Sequence, residues 1–238
     1  MTEPLFLDAT GLRETSAVVR ESAPEGIVLD RTIFYARSGG QPGDTGVLRW
    51  DGGETPIADT VKGEAGAIRH LPAPGAALPP VGAAVVLAID WERRHRLMRN
   101  HTALHLLSAL LRGAAVTGGS VGLDRSRLDF DLPNPPPREE IEAGLNALIA
   151  AGHPVRAEWV DEAVLDATPE LVRTLSVQPP RGAGRVRLLR IGAGETPVDL
   201  QPCGGTHVAN TAEIGRVQVV KIENKGKQNR RIIIALEA

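Results

Sequence analysis

The chain has 238 residues, with 27 Lys and Arg against 29 Asp and Glu, a formal net charge of −2. That excludes a uniformly basic nucleic-acid coat, which needs cations well in excess of the protein's own carboxylates, and leaves room only for a local basic patch. Its 26 Gly and 18 Pro stay below the roughly 25–30% combined share that marks low-complexity disorder, so the chain is expected to fold, as one large domain or two smaller ones. With three Trp, three Phe and one Tyr, aliphatic side chains must do the packing. The one cysteine, Cys203, rules out an intramolecular disulfide and leaves three readings: a packing residue, a reactive thiol or a metal ligand. The start, MTEPLFLDAT, lacks the basic and apolar regions of a signal peptide, and the longest apolar stretch, around residues 82–89, is far short of a membrane span. The expected compartment is the cytoplasm, with no membrane partner.

In chain order, residues 16–21, 26–30, 46–50 and 83–89 read as short strands punctuated by turn residues, which predicts a small barrel-like β domain over residues 1–89. The Pro-, Gly- and Ala-rich stretch 71–82 fits a linker or a surface loop equally well. Asp90 can cap a helix that runs without Gly or Pro to Arg112, with Gly113 at its C-terminal end. A strand over 127–132 follows, then a helix over 138–151 after a Pro-rich loop, a strand over 154–160 and broken helix over 161–175. Residues 185–191, 215–223 and 230–236 are β-rich, the last two joined by the polar turn 224–229. Strands with a few helices indicate an α+β second domain over residues 90–238.

On the long helix His101 and His105 stand at i and i+4, so both imidazoles project from one face, a turn apart. Cys203 and His207 are also four apart, in the glycine-containing loop QPCGGTH, which can curl both toward one point. Thiolate and neutral imidazole are ligands that zinc prefers. An HxxxH pair alone is as readily two histidines in ordinary hydrogen bonds, and a lone cysteine a small buried hydrophobe. The conjunction of half of the six histidines with the single cysteine, in two equally spaced pairs, points to a metal site. His95 lies off the His101/His105 face, and His70 and His153 show no partner pattern.

HTALHLL at 101–107 and CGGTHV at 203–208, in this order and about a hundred residues apart, resemble the zinc motifs of the editing domain of alanyl-tRNA synthetase and of its freestanding AlaX-type relatives. Ser38-Gly-Gly-Gln-Pro-Gly-Asp-Thr-Gly46 resembles the glycine-rich segment in the N-terminal β domain of the longer AlaX forms and of the synthetase. Residues 222–231, IENKGKQNRR, resemble the closing hairpin of AlaX proteins, with Gln228 where a glycine is expected. Threonyl-tRNA synthetase editing domains share the zinc pattern, and the glycine-rich segment favours the alanyl branch. The resemblance covers essentially the whole chain and implies an N-terminal β domain followed by a zinc-binding editing domain. It finds no aminoacylation core, which implies a hydrolase acting in trans.

What the resemblance implies is hydrolysis of the ester joining a wrong amino acid, chiefly serine and in some members glycine, to the terminal adenosine of alanine tRNA. The need is physical: a pocket built for alanine discriminates only about 10²-fold against an added hydroxyl, whereas a second site that hydrogen-bonds that hydroxyl discriminates far better. Zinc would be held by His101, His105, Cys203 and His207. Four protein ligands fill a tetrahedron, so either one ligand is loose or the metal orders and polarises the site while another group places the water. The resemblance puts Gln41 at the editing pocket, where its amide could orient the water or read the seryl hydroxyl. Gly39, Gly40 and Gly43 would allow close approach of the ligand, or simply make a tight turn. Asp44 would order that loop or reach substrate. Thr102 and Thr206, beside metal ligands, contact either substrate or the ligands themselves. Gly204 and Gly205 let backbone N–H groups face the pocket, and Ser120 is a candidate for hydroxyl recognition. Lys225, Lys227, Arg230 and Arg231 could hold phosphates of the tRNA acceptor end, or be a solvated turn that keeps edge strands soluble. The run Glu92–Arg96 is a further basic stretch with the same two readings. The implied partner is mischarged alanine tRNA, and neither membrane nor DNA. Two other readings stand beside this one: a metal-dependent hydrolase of small esters on the same scaffold, and a noncatalytic RNA-binding module with a structural zinc.

Overall fold

The structure, a computed structural model, describes residues 1–168, 171–172, 182 and 184–237. It is α+β and divides into two compact units, Met1–Arg96 and Leu97–Ala238.

The first unit contains β1 (Glu3–Pro4), β2 (Glu14–Ala23), β3 (Gly26–Leu29), β4 (Arg31–Thr32), β5 (Gly46–Trp50), β6 (Gly53–Lys62), β7 (Ile68–Pro72) and β8 (Ala84–Ile89). Six of them close an antiparallel barrel in the order β2-β3-β7-β6-β5-β8, which removes free sheet edges. Val19, Ile27, Leu29, Phe34, Leu48, Val85 and Leu87 fill it, so aliphatic residues supply nearly all of this core. β6 and β7 go beyond the sequence expectation, and the Pro-rich stretch ends β7 and then forms the loop to β8. Beside the barrel interior His70 is fully buried, its Nε2 2.7 Å from Thr32 Oγ1 and its Nδ1 3.0 Å from Ile27 O. Burial drives its pKa down to about 4, against the smaller opposing pull of the Ile27 carbonyl. The ring is neutral and structural.

Helix α1 (Trp91–Leu110) starts where the Asp90 carboxylate accepts the N–H of Arg93 at 3.1 Å. In the second unit follow β9 (Ala115–Ser120), β10 (Ser126–Asp131), α2 (Arg138–Ala150), β11 (Val155–Asp161), α3 (Glu162–Ala167), β12 (Arg185–Ile191), β13 (Asp199–Pro202), β14 (Val217–Asn224) and β15 (Asn229–Leu236). They form two antiparallel sheets, β14-β15-β10-β9 and β11-β12-β13. The outer edge of β14 is covered by α2: Asn146 both donates to Val217 O at 2.7 Å and accepts its N–H at 3.0 Å, and Glu142 accepts the N–H of Val219 at 2.8 Å. The broken helix expected over 161–175 is helical at Glu162–Ala167, and residues 169–170 and 173–175 lie outside the described residues. No helix among the described residues is long and apolar enough to cross a membrane.

Candidate metal centre

Helix α1 supplies His101, Thr102 and His105, and the loop after β13 supplies Cys203 and His207. One ligand atom from each of His101, His105, Cys203 and His207 lies within 4.8 Å of all the others. Cys203 Sγ is 3.2 Å from His207 Nε2 and 3.7 Å from His101 Nε2. A tetrahedral ion at about 2.3 Å from sulfur and 2.0–2.1 Å from nitrogen would hold those atoms about 3.6 Å apart. The cluster therefore could hold a metal ion with small adjustments.

His105 and His207 are oriented by partners on their far nitrogens. His105 Nδ1 lies 2.9 Å from Asp199 Oδ2, and because a carboxylate only accepts, the Nδ1–H donates and Nε2 faces the cluster. Gln201 Nε2 donates to the same oxygen at 2.7 Å. His207 Nδ1 is 3.2 Å from Thr102 Oγ1, whose own proton goes to Met98 O at 2.9 Å. The hydroxyl must then accept from His207, which leaves Nε2 with its lone pair toward Cys203. Val208 N–H donates to that hydroxyl as well, at 3.4 Å.

The charges within the cluster follow from burial and mutual attraction. Burial opposes ionisation of the Cys203 thiol, but the imidazoles of His101, His207 and His105 outweigh it and hold its pKa well below the usual thiol value. Burial would lower His105, yet the Cys203 thiolate and the Asp199 carboxylate raise it to about 10. His207 is held well below its ordinary value, first by burial and then by the neighbouring His101 and His105. Cys203 is thus drawn toward thiolate and His105 toward imidazolium, and a metal ion held by this set would compete with protons for the same ligand atoms.

The ligand loop is fixed from behind. Arg187, in the middle of β12 and only 6% exposed, donates from one guanidinium nitrogen to Cys203 O at 2.6 Å and Gly205 O at 3.1 Å. Cys203 N–H returns a bond to Arg187 O at 3.1 Å, and Gly205 N–H donates to Cys203 Sγ at 3.4 Å. Gly204 is exposed, whereas Thr206 is fully buried. Asp199, Gln201 and Arg187 are functional neighbours that the sequence reading did not single out. A signal existed: Asp199 and Gln201 alternate on one face of β13, and Cys203 continues the same two-residue spacing just beyond its end.

The glycine-rich segment belongs to the first unit. Ser38 and Gln41 exchange backbone hydrogen bonds of 3.2 and 2.9 Å across Gly39 and Gly40, both at positive φ (55° and 80°), as in a type I′ turn. Gln41 is buried, at 1% exposure. Asp44, 2% exposed, accepts the N–H of Tyr35 at 2.7 Å and forms a buried ion pair with the fully enclosed Arg94. The structure thus gives Asp44 an ordering role.

The register places Ser120 opposite Arg127, on the sheet face that also carries Asp129 and Arg231. Of the four hairpin cations, Arg231 grips Asp129 with two bonds of 2.8 and 2.9 Å, and Arg230 donates to the carbonyls of Asn229 and Pro133. Lys225 sits 3.4 Å from Glu223. Lys227 makes no ion pair among the described residues and is exposed.

Comparison with known proteins places these features in context. A family model described as "Threonyl and Alanyl tRNA synthetase second additional domain" matches residues 186–233, and one described as "tRNA synthetases class II (A)" matches residues 7–93. The chain is 39% identical to the alanyl-tRNA editing protein AlaX-M of Methanosarcina mazei, over 99% of this chain and 97% of that protein. It is 33% identical to the protein of the same name from Saccharolobus solfataricus, over 98% of both. It is 36% identical to the alanine–tRNA ligase of Pyrobaculum arsenaticum, over 93% of this chain and 25% of the ligase.

Proposed function

The chain belongs to the family of alanyl-tRNA editing proteins AlaX-M, and on that premise we propose that it hydrolyses alanine tRNA charged with the wrong amino acid, seryl first and glycyl second, with a zinc ion held by His101, His105, Cys203 and His207. The observation that carries this reading is the convergence of those four ligand atoms within 4.8 Å. One thiolate with three imidazoles suits zinc, and neither a hard cation such as Mg²⁺ nor Ca²⁺ takes such a set.

When bound, the ion supplies polarisation of the ester carbonyl or of a water. The chain's own residues do the rest. Asp199 and Thr102 keep Nε2 of His105 and His207 turned to the ion, and Arg187 keeps the Cys203 loop in place. Gln41 acts on the substrate, a role supported by the resemblance of its motif, and the Arg94–Asp44 pair fixes the turn that carries it. Lys227 is the hairpin cation most open to the phosphates of the acceptor end, because Lys225 is paired with Glu223 and Arg230 and Arg231 are engaged within the hairpin and on Asp129.

The test is deacylation of Ser-, Gly- and Ala-charged alanine tRNA by the purified protein, with and without zinc, beside Gln41→Ala and His101→Ala. Release of serine with retention of alanine is expected, and both substitutions should slow it at least tenfold. Seryl ester that stays intact with excess protein overturns the reading. The four filled ligand positions favour one competing reading, an RNA-binding module with a structural ion; it requires mischarged tRNA to bind and keep its amino acid.

A further inference from the structure

The two carbonyls flanking Gly204 both turn toward Arg187: Cys203 O at 2.6 Å and Gly205 O at 3.1 Å. In a trans peptide the C=O of one residue and the N–H of the next point in opposite directions. With Cys203 O drawn back to the buried guanidinium, the N–H of Gly204 is turned away from it, toward the exposed side of the loop. No hydrogen bond to that N–H is made among the described residues. The next N–H, of Gly205, is by contrast used by Cys203 Sγ.

Gly204 also lacks a structural reason to be glycine. Its φ is not in the left-handed region, and a Cβ built on it would meet nothing within 4 Å. Open space therefore lies at the Cβ position beside this donor, one residue from Cys203 of the ligand cluster. A glycine that the fold itself does not require leaves room for something outside the fold.

Resting on the hydrolase reading above, we propose that the Gly204 N–H donates to the carbonyl oxygen of the aminoacyl ester, and that Arg187 is the positioning residue that presents it. In the reaction the oxygen of a water bonds to the carbonyl carbon while the carbonyl π pair moves onto its oxygen, where the Gly204 N–H meets the developing charge. Collapse re-forms the C=O and breaks the bond to the ribose oxygen. One proton of the water ends on that ribose oxygen and the other goes to solvent, giving the amino-acid carboxylate and a free terminal hydroxyl. Donors of this kind act mostly in the transition state.

Three variants test it at saturating zinc, with zinc affinity measured by chelator competition. Arg187→Met should lower kcat about 10²-fold with little change in KM, the size found for loss of one oxyanion donor. Arg187→Lys, which keeps a cation and one reach to a carbonyl, should recover part of it. Gly204→Ala keeps fold and zinc affinity, and its methyl should cost at least tenfold in kcat/KM; this variant carries the test if Arg187→Met does not fold. A readout that needs no turnover is the backbone amide resonance of Gly204 on addition of a seryl-adenosine analogue with an amide in place of the ester. A shift in wild type that is lost in Arg187→Met is expected, and it supports the contact even if the ester proves not to be hydrolysed. Wild-type kinetics in Gly204→Ala, a loss confined to KM in Arg187→Met, or no shift at Gly204 overturns the proposal.

Discussion

Asp44→Ala should unfold the barrel unit or bring it close to unfolding. Asp44 and Arg94 are 2% and 0% exposed, and the guanidinium bonds both carboxylate oxygens, with Ile33 O at 2.7 Å as a further acceptor. Removing one partner of such a pair leaves an uncompensated buried charge, at a cost of roughly 3–5 kcal/mol. Set against total stabilities of roughly 5–15 kcal/mol, that is a large part of what the unit has. Arg94→Met alone also costs, because it orphans the carboxylate, but the double variant Asp44→Ala/Arg94→Met removes both charges and should be less unstable than Asp44→Ala by about 1 kcal/mol or more. Urea titration followed by tryptophan fluorescence reads this cleanly. Trp50 and Trp91 lie in the first unit and Trp159 in the second, so a Trp159→Phe background reports the barrel alone. A loss under 1 kcal/mol in Asp44→Ala, or strictly additive effects in the double variant, would refute the claim that this pair anchors the glycine-rich turn.

Two further outcomes follow from buried groups. For His70 the native ring accepts its proton only near pH 4, whereas the unfolded ring does so near 6.5. Between those values the unfolded chain binds the extra proton, so stability present above pH 6.5 is lost as pH falls toward 4; at about 1.4 kcal/mol per unit this amounts to about 3 kcal/mol. Denaturation curves of wild type and His70→Gln from pH 7.5 to 4.5 should converge accordingly, and curves that run parallel would count against it. For Asp199→Asn, loss of the carboxylate that orients His105 should weaken zinc binding about 10–100-fold, read by chelator competition, with unchanged affinity as the contrary result.

Much of the site was legible because its ligands are rare residues at regular spacing. Only Cys203 and six histidines were available, and two pairs four apart leave few arrangements. The residues that orient those ligands were not legible in the same way. Arg187 acts on a loop 16 residues away and Asp199 on a histidine 94 away, and neither relation leaves a period in the chain. The missed strands have local reasons. β6 contains Pro56, which argues against a strand, and β9 contains Gly118-Gly119, which reads as a turn. At Gly119 a Cβ would lie 2.9 Å from Leu128 Cδ2, so any side chain there would have to displace the end of the neighbouring strand's leucine, a relation that only the paired strand reveals.

The glycine-rich segment shows how a motif divides once its neighbours are known. Gly39 and Gly40 both sit at positive φ, where a side chain is strained, and a Cβ on Gly39 would meet nothing within 4 Å, so the need is conformational. At Gly43 a Cβ would stand 2.1 Å from Thr60 O, and at Gly46 it would stand 2.2 Å from Ala88 O; their need is room for adjacent strands. Asp44 is held by Arg94 and Tyr35. The fold thus accounts for four glycines and the aspartate of the segment without any ligand. Gln41 is buried at the end of the same turn, at 1% exposure, where a side chain can serve the turn or the reaction. Gln41→Ala should separate the two: unchanged stability with lost deacylation assigns it to the reaction, while a loss of stability equal to that of Asp44→Ala assigns it to the turn.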